Sequence, residues 1–385
     1  MTVQVIPEAQ ALVIQAADPA LLLQKIPTAV QLDDGRIGMP HGINEVTKLA
    51  YLGIRAPSPM EHYYDWPREK TLIPNPFAHQ IETSGFFVTY PRSYCFSSIG
   101  VGKTLSAAWA ADYLIREGFG HCALVISTLS SLERTWGDAL FFHLRHRKFK
   151  VLHGSADKRR KLLAQPAEFY IINYAGVGVI QKELAARPDI DIVILDELAE
   201  CGKKNTGLWK SLERLIYPDN RPPIPYVWGM TATPIPNSPL DAYPQAKLVT
   251  PATVPKFFTQ WKNLVMDHQS TYIWTPRTES TKIVYDAMRP AIRFKRDECL
   301  DLPPTIYSTR DVELSADQKK HYKEISKELY TEINGAGVSA VNEGVKLGKL
   351  LQVACGCVYA SDGSPQVIDA ANRIEVLKEI IEQCN

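Results

Sequence analysis

The chain is short of net charge. Its 43 Lys and Arg nearly cancel its 42 Asp and Glu, leaving a formal +1 over 385 residues. No global basic field advertises a polyanion ligand, so any such site must be a local patch. Two basic runs exist, "RHRKFK" from Arg145 to Lys150 and "DKRRK" from Asp157 to Lys161. Each alone reads as a solvated charged face. Cysteine framework spacing is also missing. Seven cysteines, an odd number, are scattered, and Cys355-x-Cys357 fits neither a zinc knuckle nor a redox pair. A disulfide scaffold is thereby excluded, and a reduced, intracellular protein is the simplest expectation. No basic segment precedes the first apolar residues, where Glu8 is acidic, so no secretory leader is expected. No apolar run approaches the roughly 20 residues of a membrane span, so no membrane partner is expected. Internal repeats and low-complexity segments are absent too.

What is present is an ordinary globular composition, 45% hydrophobic and 22% charged, with room for two to three domains. Residues 1–70 are expected to form a small N-terminal accessory domain. There, "AVQLDDGRIGMP" reads as a hairpin around Asp33-Asp34-Gly35, and "INEVTKLAYLGI" has helical spacing through Val46, Leu49 and Leu52. Tyr63, Tyr64 and Trp66 read as a packing edge, and the prolines of "PREKTLIPNP" mark a boundary. From 71 to 250, short apolar runs ("YCFS", "CALVIS", "FKVLHG", "FYIIN", "DIVIL", "YVWGM") alternate with helical segments. That pattern predicts an α/β lobe with a parallel sheet covered on both faces. Residues 251–385 read as mostly helical. "YSTRDVEL" is predicted as a strand, Ser315 to Gln318 as a capping box opening a helix, and "NGAG" at 334–337 as the break of that helix. A helix through Val345 and Leu350, a turn at Asp362-Gly363 and a last helix "RIEVLKEIIEQC" complete the segment.

Four stretches carry chemistry. "CFSSIGVGKTLSAAWAADYLI" places a strand, a glycine loop and a helix start in the order that a phosphate-wrapping loop needs. Gly100 and Gly102 let backbone N–H groups turn inward around Val101, and the helix N-terminus favours anions. Lys103 would reach the β- and γ-phosphates, and the Thr104 hydroxyl would bind Mg²⁺. "DIVILDELAE" ends an apolar strand in Asp196-Glu197. One carboxylate suits the Mg²⁺ shell, the other the polarisation of an attacking water. "WGMTATPIPNSPLDAY" puts Thr231 and Thr233 after a further strand, placed to sense the γ-phosphate. "PFAHQIET" puts Gln80 at a helix start, where its amide pairs with an adenine edge.

Together these stretches resemble the superfamily-two helicases and translocases, in particular the Swi/Snf-type branch and its compact bacterial-virus members. The resemblance rests on "PFAHQ", "GVGKT", "TLSSLERTW", "INYAGV", "ILDELAE" followed by "KKN", "GMTATPIPNSPLDAYPQAKLVTP" and "RFKRDECLDLPP", over residues 74–385. It implies a RecA-like lobe with a phosphate loop, using ATP and Mg²⁺. Gln80 would read adenine, Gly100, Val101, Gly102, Lys103 and Thr104 would hold the triphosphate, and Lys103, Asp196 and Glu197 would be catalytic. Thr104 and Asp196 would bind the metal. Ser130, Ser131, Asn173, Tyr174, Thr231, Thr233, Lys204 and Asn205 would line or couple to the nucleic-acid track. The implied partner is DNA, duplex ahead of single-stranded, with RNA open, in the cytoplasm (the host's, for a viral protein). The sequence departs from the family at Ser97-Ser98, where many members carry an acidic pair, and at Ala199, commonly a histidine. Glu200 is the candidate to replace that histidine's coupling. A second RecA-like lobe, in cis in a longer chain or in trans, is expected to supply arginine fingers, each worth about 10³–10⁵ in rate in related NTPases. This chain alone is therefore expected to bind ATP and hydrolyse it slowly. The competing expectation is a nucleic-acid or protein-binding module with a silent ATPase. A restriction-enzyme motor and a small-molecule kinase fit the motifs less well.

Overall fold

The computed structural model describes residues 2–66, 75–201, 206–270, 273–299, 307–340 and 342–384. Its contacts divide the chain into two compact units, Met1–Leu302 and Pro303–Asn385.

The first unit opens with an antiparallel sheet of β1 (Thr2–Ile6), β2 (Ala11–Gln15), β3 (Val30–Gln31) and β4 (Ile37–Pro40), in the order β1-β2-β4-β3. The β3–β4 hairpin turns at Gly35, as its Asp-Asp-Gly sequence predicts. Helix α1 (Pro19–Lys25) begins where the Asp18 carboxylate accepts the Leu21 N–H at 3.0 Å. Helix α2 (Ile43–Tyr51) presents Val46 and Leu49 to Leu12, Ile14, Ile37 and Met39, closing a small core. Helix α3 (Pro59–Tyr63) leads to Tyr64 and Trp66, which meet Tyr113 and Trp109 edge-on. The aromatic cluster is thus a packing edge.

Helix α4 (Ala78–Thr89) precedes a seven-stranded sheet, and the long helix α5 (Lys103–Arg116) lies against it. Its strands are β5 (Arg92–Cys95), β6 (Cys122–Ser127), β7 (Phe149–Val151), β8 (Phe169–Asn173), β9 (Ile190–Asp196) and β10 (Tyr226–Met230). A hairpin of β11 (Met266–Ser270) and β12 (Ile273–Pro276) then intervenes before β13 (Ala291–Ile292) completes the sheet. The order is β13-β5-β10-β9-β6-β8-β7, every pairing parallel. The near-continuous apolar runs arise because both faces are covered. Successive residues of β9 alternate between two cores: Ile192 and Ile194 face α5, Trp109 and Trp228, while Val193 and Leu195 face Trp209, Leu212 and Tyr243. Because all seven strands run the same way, their C-terminal ends share one edge. In an open parallel sheet that edge is where ligands bind.

The second unit carries helices Ala316–Glu328, Glu343–Cys355 and Ala371–Cys384, with hairpins β14 (Tyr330–Ile333)/β15 (Ala336–Ser339) and β16 (Cys357–Tyr359)/β17 (Pro365–Val367). The Ser315 capping box opens the first helix as predicted. Two local expectations are corrected. Residues 307–314, predicted as a strand, are in no strand, because apolar alternation does not by itself supply a pairing partner. Asn334-Gly335 does not break a helix. Both residues have positive φ (+50° and +80°) and form the two-residue turn of the β14–β15 hairpin. No helix among the described residues is long and apolar enough to cross a membrane.

Candidate nucleotide and nucleic-acid site

The site is built on the C-terminal edge of the sheet, from loops after β5, β9, β10, β6 and β8. After β5 the chain runs through Ser97, Ser98 and Ile99 to Gly100 and Gly102, whose φ values are +84° and +83°. Only glycine adopts that backbone without strain, and at Gly102 a Cβ would also strike the Gln80 amide. The turn delivers Lys103 and Thr104 to the first turn of α5, both partly exposed. Here the Lys103 ammonium donates to the carbonyls of Ser97 (2.8 Å) and Ser98 (2.9 Å).

The loop is laced to its surroundings. Ser97 Oγ accepts the Phe294 N–H at 2.9 Å, and the Ser98 N–H donates to Phe294 O at 3.0 Å, so the extension of β13 runs alongside it. From the other side α4 holds Val101: His79 Nε2 lies 2.9 Å from the Val101 carbonyl and Gln80 Nε2 donates to it at 3.4 Å. Gln80 Oε1 accepts the Phe77 N–H at 3.0 Å, capping α4. Both ends of the Gln80 amide are therefore engaged within the protein.

Asp196 closes β9. Its Oδ2 accepts from Ser127 Oγ and from Trp136 Nε1, each at 2.8 Å. Trp136 reaches it from a π-helical turn, Leu132–Gly137, after β6. Oδ1 has no hydrogen bond among the described residues. Glu197 follows in the left-handed region, φ +53°, an uncommon place for a glutamate and one that turns the chain sharply off the strand. Burial and the neighbouring Asp196 push its carboxyl above the usual carboxylate range, with Lys103 opposing. Beyond β10, Thr231 is buried; its hydroxyl lies 3.5 Å from Glu197 Oε2 and accepts the Thr233 N–H at 3.2 Å. Thr233 itself is exposed. Thus the acid motif meets the Thr-Ala-Thr segment through Glu197, while Glu200 is exposed.

The polar strip beside the acids starts one strand over. Ser127 of β6 pairs in register with Asn173 of β8. The Thr128 hydroxyl meets those of Ser131 (2.9 Å) and Ser130 (3.3 Å). Asn173 is half-buried and accepts from Arg159 at 3.0 Å. Tyr174 is buried, with its hydroxyl donating to the Asp196 carbonyl at 2.7 Å. Lys204 and Asn205 lie outside the described residues. His79, Phe294, Ser127, Trp136 and Arg159 were not singled out from the sequence. Each stands inside a stretch already quoted ("PFAHQ", "RFKRDECLDLPP", "CALVIS", "TLSSLERTW", "DKRRK"), but its role depends on a partner distant in sequence, which no stretch by itself reveals.

Among the described residues no group of three or more His, Cys, Asp or Glu forms a metal cluster. One carboxylate oxygen of Asp196 and the Thr104 hydroxyl suit an ion that takes one or two protein ligands and completes its shell with phosphates and water. The residues fit Mg²⁺.

A strand–glycine loop–helix with lysine at the helix start, beside an acid pair on the parallel strand one removed, across β10, defines a phosphate-loop lobe of the RecA type. The SNF2-related domain matches residues 95–355, and the chain belongs to that family. A putative protein, p41, of Acyrthosiphon pisum secondary endosymbiont phage 1 is 25% identical over 336 residues, 82% of this chain and 70% of that one. Among solved structures, the Sulfolobus solfataricus SWI2/SNF2 ATPase core in complex with dsDNA superimposes with a TM-score of 0.51 at 17% identity. The likeness covers 83% of this chain and 67% of the archaeal one.

Proposed function

We propose that this chain is the ATP-binding lobe of a DNA-dependent ATPase that couples hydrolysis to movement on duplex DNA. The observation that carries the reading is the meeting, on one sheet edge, of Lys103, the Asp196-Glu197 pair and Thr231, with a strip of hydroxyl and amide groups one strand away. Lys103 exchanges its loop carbonyls for the β- and γ-phosphates, and the N–H groups of the Gly100–Gly102 turn cradle them. Asp196 and Thr104 would hold Mg²⁺, which when bound neutralises phosphate charge. Glu197 accepts a proton from the attacking water, and Thr231 carries the change at Glu197 to the segment that follows β10. Ser130, Ser131 and Asn173 contact phosphodiesters, which carry no sequence information. Thr233, Lys204 and Asn205 are proposed to join that track. Tyr174 acts from beneath, since its hydroxyl is committed to Asp196. With the Gln80 amide holding the loop, we assign it to nucleotide binding through Val101 as well as through the base. A second RecA-like lobe, in cis or in trans, would face this edge and complete the motor.

The experiment is ATP turnover with no nucleic acid, with duplex DNA, with single-stranded DNA and with RNA, beside Lys103→Ala. Stimulation greatest with duplex, falling steeply with salt and absent in the variant, is expected. DNA binding with no turnover in any mixture, including one with a second lobe added, would replace this reading with a silent binding module.

A further inference from the structure

Of the two basic runs, "DKRRK" does not behave as a solvated face throughout. Arg160 is at the surface, paired with Glu183 at 2.5 Å and Asp157 at 3.0 Å. Arg159 turns inward and is only 8% exposed. Its Nε donates to Gly154 O at 2.9 Å, and its Nη1 donates to Leu152 O at 2.6 Å and to Asn173 Oδ1 at 3.0 Å. Every one of these acceptors is neutral, and no carboxylate pairs with Arg159 among the described residues. A buried cation without a counter-charge is costly unless an anion completes it.

Two sets of donors are left over. Arginine has only donors, so the Asn173 amide must turn its oxygen to Arg159 and its Nδ2 away. Neither Asn173 Nδ2 nor Arg159 Nη2 has a protein partner among the described residues, and neither is among the buried polar atoms left unsatisfied, so both reach solvent. The pair is built, not incidental. Gly176, in the helix Tyr174–Val179, sits so close that a Cβ would lie 2.7 Å from Asn173 Oδ1 and nearer still to Arg159 Nη1. Asn173 ends β8 beside Ser127, on the edge that carries the acid pair.

We propose that Arg159 and Asn173 form a single phosphate contact, which receives one phosphodiester of the nucleic-acid backbone. Arg159 supplies the charge and fixes the amide; Asn173 Nδ2 and Arg159 Nη2 supply the donors. The contact rests on the nucleic-acid reading above and adds Arg159, which that reading did not use.

Asn173→Asp separates this role from a structural one. The carboxylate keeps the shape and strengthens the bond to Arg159, but replaces the outward donor with an acceptor and cancels the charge. The expected result is a melting temperature equal to the parent's or higher, and a Kd for a short mixed-sequence duplex weaker by about tenfold or more. The slope of log K against log salt should fall by about one. Arg159→Lys, which keeps the charge without the fork, should weaken binding in the same direction. If Asn173→Asp melts like the parent and binds the duplex with the parent's Kd and salt slope, the contact is refuted while the nucleic-acid reading stands. If the parent itself binds no duplex, single strand or RNA, that reading falls and takes the contact with it.

Discussion

At Glu197 a single residue gathers three constraints: a left-handed backbone, partial burial and a carboxylate neighbour. The last two follow from ending a buried strand in two consecutive acids. The raised folded-state pKa has a definite sign. The protonated form is favoured in the fold, so the residue's contribution to stability is full below its unfolded pKa and is lost as pH rises through the higher folded one. At neutral pH the charged Glu197 therefore opposes folding. Glu197→Gln should hold or raise the melting temperature, keep ATP binding and remove hydrolysis, read by thermal denaturation and single-turnover assay. The acids, the lysine and the glycines were legible in the sequence because each motif is contiguous. The groups that orient them were not. Ser127 and Trp136 meet Asp196 from 69 and 60 residues away, and no periodicity marks such a meeting.

At the scale of an element, α5 does two jobs at its two ends. Its N-terminus faces the phosphate loop. Nine residues on, about 14 Å along the axis at 1.5 Å per residue, the buried Asp112 accepts from Tyr64 Oη (2.6 Å), His146 Nε2 (2.9 Å) and Arg147 Nε (2.6 Å). One carboxylate thereby clasps the N-terminal segment and the basic run 145–150 to the same helix. Asp112→Ala leaves Arg147 only the more distant Glu168, 3.9 Å away, and strips the Tyr64 hydroxyl of its acceptor, and should cost roughly 2 kcal/mol or more in urea unfolding. ATP affinity measured on the folded variant should match the parent's, since the phosphate loop is untouched. The strands of the sheet were readable because a sheet covered on both faces writes itself as unbroken apolar runs. The second unit was harder. Its strands are only three or four residues long, so Tyr330–Ile333 carries too few side chains to outweigh the helix before it, and only the Asn334-Gly335 pair signals the hairpin.

At the scale of the whole chain, every residue assigned to nucleotide binding falls in the first unit, and the second has its own small core of Ile325, Ile333, Val338, Val353 and Val358. A fragment of residues 1–302 should therefore unfold cooperatively and bind nucleotide with the full chain's affinity, checked by calorimetry; loss of binding would place part of the site in residues 303–385. Within the first unit the two proposed ligands are not independent. Tyr174 follows Asn173 in the chain, and its hydroxyl rests on the backbone of Asp196. The proposed phosphodiester contact at Asn173 and the acid proposed to hold the metal are thus linked through Tyr174, by one peptide link and one hydrogen bond. Thermodynamic linkage then binds both sites to a common coupling constant: by whatever factor DNA alters the affinity for ATP, ATP must alter the affinity for DNA.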